Sequence, residues 1–111
     1  MRWMVFACAV LLGACVQHRQ QPAHVVAPRL VYGDLQLDSR EGRAVLRARV
    51  AQEATRYCAA HGAEITPHDR RGDPYYCSDV VRFGIMAELP VEARRAYALA
   101  RREANVRGRG L

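Results

Sequence analysis

The sequence predicts a small, mainly α domain (a small α+β fold), with one N-terminal strand followed by two to three helices and a disulfide staple. Three observations predict it. Residues Leu30 to Leu37 mix β-branched and aromatic side chains with partial period-two alternation. Beyond them, apolar residues recur at helical spacing in segments separated by proline and glycine. Two cysteines, Cys58 and Cys77, bracket the most polar of those breaks.

The elements follow in chain order. Residues 1–14 carry one positive charge at Arg2, then an almost wholly apolar run, then small residues, the order of a secretory signal. That run is well short of the roughly 20 residues a membrane-spanning helix needs. Leu12-Gly13-Ala14-Cys15 resembles a bacterial lipobox, so the expected cut lies before Cys15, which receives the lipid. The rival site for a soluble product, Val25-Val26-Ala27, is followed by Pro28 and preceded by a polar stretch. Acyl chains contribute about 0.8 kcal/mol per buried CH₂, and two or more anchor stably. Val16, in place of the Asp that commonly marks inner-membrane retention, leans toward the periplasmic face of the outer membrane. Residues 15–28 are the lipidated cysteine and a polar, proline-containing spacer.

The domain proper is expected over residues 29–105. In the strand, Val31, Leu35 and Leu37 share one face, and Tyr32, Asp34 and Gln36 the other. A lone strand leaves backbone groups unpaired, and its weak local partner is Ala63-Glu64-Ile65-Thr66. Pairing with another molecule is one alternative; lying extended across the helices is the preferred one. Asp38 with Glu41 has the spacing of a capping box. The helix it starts runs from about Ser39 to His61, with Leu46, Val50, Ala54, Tyr57 and Cys58 on its buried face. Gly62 to Pro74 is a loop. Ser78 caps a second helix to about Glu88, with Val81 and Ile85 inward. Pro90 opens a third helix to about Asn105, with an alanine stripe around Tyr97 and arginines elsewhere. Residues 106–111 read as a frayed tail.

Cutting before Cys15 leaves 97 of the 111 residues, enough for one small domain that benefits from a staple. Of four cysteines, Cys8 leaves with the signal and Cys15 takes the lipid. Cys58 and Cys77 remain as an even pair in an oxidising compartment, which favours a disulfide. A metal site built from Cys58, His61, His68 and Cys77 is the competing reading, and it lacks a second close ligand pair. No cofactor is expected.

All 17 basic residues are arginine, and the formal net charge is +6. That balance favours anionic lipid headgroups, lipopolysaccharide or acidic protein faces. Nucleic acid is a poor partner for an envelope protein, and aromatics do not alternate with the arginines as a stacking platform requires. The chain's serines, Ser39 and Ser78, sit where helix caps belong, so no catalytic serine and no enzyme is expected. Asp73 is expected to pair locally with Arg71, and Tyr75 and Tyr76 to pack around the disulfide.

An extended Tyr32-Gly33-Asp34-Leu35-Gln36-Leu37 leads to Ser39 and Gly42; a helix then carries Leu46, Arg49-Val50 and Ala54 up to Cys58, and Cys77 heads another. In this order the chain resembles the UrcA family of small exported proteobacterial proteins, over roughly residues 25–87. The resemblance implies a small secreted fold with this disulfide and brings no established activity or site residues. The lipobox at Cys15 departs from the family's usual cleaved signal. The expected function is that of an exported lipoprotein and non-catalytic interaction module of the bacterial cell envelope. It would be held to the membrane by Cys15 and meet an envelope protein or anionic surface. The alternative is a periplasmic metal-binding protein using the Cys/His cluster.

Overall fold

The computed structural model describes residues 27–110. The expected signal, the expected lipobox and most of the expected spacer lie outside those residues. The described chain is mainly helical: α1 (Arg40–Ile65), a 3-10 turn (His68–Arg70), α2 (Tyr76–Glu88) and α3 (Val91–Glu103). The long α1 is the spine, and both α2 and α3 pack against it.

The core is built from residues four apart. Leu46, Val50 and Ala54 of α1 are fully buried, as are Val81 and Ile85 of α2, with Leu89 closing the stripe just past that helix. One turn of helix separates successive members, so each set forms a continuous ridge along one face. From α3 come Ala93, Ala96, Tyr97 and Ala100. Three of these carry only a methyl group, so the α3 backbone can approach α1 closely, while Tyr97 supplies the bulk.

The segment expected as a strand is an arm instead, and the described residues contain no strand. Its proposed partner, Ala63 to Ile65, is the last turn of α1. Without a neighbouring strand the arm's backbone groups find other partners. The Leu35 amide donates to the Tyr32 carbonyl, the Ser39 amide to the Gln36 carbonyl, and Arg49 reaches the Val31 carbonyl. Leu30 is buried, and Ala27, Tyr32, Leu35 and Leu37 pack partly buried against the helical core. The arm thus lies across the helices. Gly84 makes room for it, because a Cβ there would stand 2.8 Å from the Ala27 Cβ.

The caps shift by small amounts with definite causes. Ser39, not Asp38, caps α1: its hydroxyl accepts from the Gly42 amide and donates to the Gln36 carbonyl. A Cβ at Gly42 would lie 2.0 Å from the Gln36 oxygen, so the turn entering α1 requires glycine there. The helix also runs one turn beyond His61, to Ile65. Ser78 does not cap α2, which starts at Tyr76; its hydroxyl donates back to the Tyr75 carbonyl from within the first turn. Pro90 is the N-cap of α3, one residue before its first turn.

Cys58 and Cys77 form the expected disulfide, with Cα atoms 6.0 Å apart. It joins α1 to the start of α2 beside the buried layer. Between these cysteines no residue is fully buried.

Residues 106–110, expected to fray, are docked instead. Arg82 donates to the Gly110 carbonyl and Arg101 to the Gly108 carbonyl. Arg109 pairs with both Asp73 and Asp79.

Candidate functional site

The arginines of the third helix divide into two sets. On one side of α3, Arg94, Arg95 and Arg102 are exposed, with Ala98 and the half-exposed Val91 among them. Burial of the alanine stripe on the opposite side forces this arrangement, since side chains about two residues from the stripe must face solvent. Arg95 and Arg102 are seven apart and therefore share a face two turns long. The carboxylates of α3 sit at its ends. Glu92 is in the first turn, and Glu103 is held by Arg43 of α1 at 2.5 Å. That bidentate contact draws Glu103 below the usual glutamate range and raises Arg43. The middle of the outer face is left to cations.

The remaining charges act as fasteners. Arg49 grips Asp34 through two 2.7 Å hydrogen bonds, which fix the arm to α1 and lower the Asp34 carboxyl to about 2. Arg109, held by Asp79 and Asp73, also stands over the Tyr75 ring at 5.7 Å. Its hydrogen bond, together with the Tyr75 amide, lowers the Asp73 carboxyl. Asp73 therefore pairs with the distant Arg109, where sequence proximity suggested Arg71. Tyr75 is half exposed and serves this clasp.

Two grooves open on the surface. One, of about 490 Å³, lies between the arm and α1 and is lined by Arg29, Val31, Asp34, Arg49 and Glu53. Of its charged walls, Arg49 and Asp34 pair with each other, and Glu53 pairs with Arg56 outside the groove. The second, of about 540 Å³, runs between α2 and α3 along Val80, Phe83, Met86 and Tyr97, with Asp79, Arg82 and Arg101 at its polar edge. Phe83 is 78% exposed, although it is a large aromatic in the middle of a helix. Sequence reasoning missed this groove. The signal was available: in α2, Phe83 lies off the stripe defined by Val81 and Ile85, where a phenyl ring has no core to enter.

The metal cluster weighed from the sequence does not assemble. Both sulfurs are committed to the disulfide. His61 packs its ring on Tyr57 at 4.7 Å and points Nδ1 toward Glu64 at 3.6 Å, while His68 begins the 3-10 turn. Among the described residues no group of three His, Cys, Asp or Glu side chains could hold a metal ion. Ser39 and Ser78 are both engaged with local backbone and have no neighbouring base in their hydrogen-bond sets. No described helix is long and apolar enough to cross a membrane. Comparison with protein-family models, with curated proteins and with solved structures finds no match.

Proposed function

We propose that the protein is an exported lipoprotein of UrcA-like type, tethered through Cys15, that acts as a non-catalytic interaction module of the cell envelope. The face of α3 bearing Arg94, Arg95 and Arg102 is its docking surface, and an anionic membrane or lipopolysaccharide layer is what it meets. The observation that carries this reading is the exposure of those three guanidiniums on a helix whose other side is buried. Other cations of the domain are spent on internal fastening: Arg43 on Glu103, Arg49 on Asp34, Arg82 and Arg109 on Asp79. Among the described residues Arg94, Arg95 and Arg102 form no ion pair with a carboxylate, although Arg102 lies in the field of Glu103, and exposed guanidiniums are the chemistry that recognises phosphate groups. The tether supports the same reading, because a spacer of polar residues after Cys15 keeps the domain within reach of a lipid surface.

Each basic residue near an anionic bilayer contributes about 1 kcal/mol. Replacing Arg94, Arg95 and Arg102 together with serine should therefore weaken partitioning onto anionic vesicles roughly 100-fold. Vesicle sedimentation measures this. Neutral vesicles should bind neither protein, and raised salt should release the wild type. Equal binding of the two proteins to anionic vesicles would end the proposal.

A further inference from the structure

The groove between α2 and α3 combines two kinds of surface that rarely meet by accident. Its wall is apolar, made by Val80, Phe83, Met86 and the Tyr97 ring, and its polar edge holds two guanidiniums, Arg82 and Arg101, with the Asp79 carboxylate. Leaving Phe83 this exposed forgoes the stabilisation that removing its apolar surface from water would give. Tyr97, 4% exposed, lines the same groove, and its buried hydroxyl has no hydrogen-bond partner among the described residues.

The partners of the rim arginines carry the argument further. Arg101 donates to the Gly108 carbonyl and forms no ion pair with a carboxylate among the described residues. Arg82 shares Asp79 with Arg109 and donates its other bond to the Gly110 carbonyl. Neutral main-chain oxygens of the tail thus occupy positions that an anionic oxygen would fill more strongly, because charge-assisted hydrogen bonds are about twice as strong as neutral ones. The tail is itself fastened chiefly by one residue, Arg109, in its clasp with Asp73 and Asp79. Asp79 is neutralised by two guanidiniums and does not repel an incoming anion.

From this juxtaposition we infer that the groove is a binding site for a single-chain anionic amphiphile, an alkyl chain ending in a carboxylate. The chain lies along Phe83, Val80 and Met86, and the carboxylate takes the tail carbonyls' place on Arg101 and Arg82. Residues 106–110 form a strap that occupies the anion position until the ligand displaces it. A second copy of this protein is a poorer occupant, since it would bring two arginine-rimmed grooves together. The site is separate from the exposed arginine face of α3 and does not rest on it.

The test is calorimetric titration of the purified protein with dodecanoate below its micelle concentration, with acetate and an uncharged dodecyl analogue as comparisons. The expected result is saturable binding of dodecanoate at a single site, none of acetate, and binding of the uncharged analogue weakened roughly tenfold. Phe83→Ser and Arg101→Gln should each weaken dodecanoate roughly tenfold; both side chains are at the surface, and circular dichroism verifies the fold. The variant lacking Arg94, Arg95 and Arg102 should bind dodecanoate as the wild type does. The inference is overturned by absence of saturable binding, by binding unchanged in Phe83→Ser and Arg101→Gln, or by binding lost in the triple variant. A Phe83-dependent dimer seen in sedimentation, unaffected by dodecanoate, overturns it in favour of self-association.

Discussion

Removing the Cys58–Cys77 bridge tests how much of this small fold depends on its staple. The perturbation is the double substitution Cys58→Ala and Cys77→Ala, which leaves no free thiol and places no new polar group beside the core. The two residues are 19 apart in sequence. Closing a loop of that length removes conformational freedom from the unfolded chain worth about 3 kcal/mol. Little else restrains the same stretch, because no residue between the cysteines is fully buried. For a domain of this size each kcal/mol moves the melting temperature by about 4–8 °C, so the variant should melt roughly 12–24 °C lower. Thermal and urea denaturation followed by circular dichroism measure it, with reductant-treated wild type as an independent route to the same state. Hydrogen exchange should rise first in residues 59–76, at the end of α1 and in the loop. A variant that melts within about 2 °C of the oxidised wild type would refute the reasoning, since a loss under about 0.5 kcal/mol is incompatible with the loop-closure argument.

Other outcomes follow from named contacts. Gly42→Ala should destabilise by about 2 kcal/mol in urea denaturation despite the better helix propensity of alanine, because the new methyl collides with the Gln36 carbonyl and breaks the Ser39 cap. Leu46→Ala, at a fully buried position of α1, should cost about 3 kcal/mol in urea denaturation. Tyr97→Phe should be neutral or stabilising by about 1 kcal/mol in the same assay, because it removes a buried hydroxyl with no partner among the described residues. Acid should weaken the fold: Asp34, Asp73 and Glu103 have folded pKa values below their unfolded ones. Their contribution is complete above the unfolded carboxylate range near pH 4 and disappears as pH falls toward 2, the Asp34 value. Urea midpoints measured across that window should decline, and Arg49→Gln should flatten part of the decline.

The helices were legible because their signals are local. Leu46, Val50 and Ala54 repeat every four residues, as do Val81 and Ile85, and the structure buries each of them. The disulfide was legible from cysteine arithmetic alone. The arm was legible in part: its course across the helices was expected, but Leu30 to Leu37 has strand-like composition, and composition cannot reveal that the described residues hold no second strand to pair with it. Its backbone partners are a distant arginine and its own turns, and neither leaves a periodic trace. The tail was misread for a similar reason. Its glycines and arginines suggest fraying, whereas Arg109 meets Asp73 and Asp79 only after the helices bring residues 30 and more apart together. At the α1 cap two adjacent candidates, Asp38 and Ser39, competed, and the close approach at Gly42 decided between them. The exposed arginines of α3 were visible as a pattern, but which cations were already committed to carboxylates was not.

The central proposal is a stapled module held to a membrane by Cys15; such a tether would fix both the compartment that favours the disulfide and the surface that α3 faces. Intact mass of the native protein extracted from membranes tests it most directly. The account predicts a chain lacking residues 1–14, carrying two or three acyl chains on its first cysteine, and two hydrogens lighter than the reduced form. An unlipidated product beginning downstream of Cys15, or one with free thiols at Cys58 and Cys77, would contradict it.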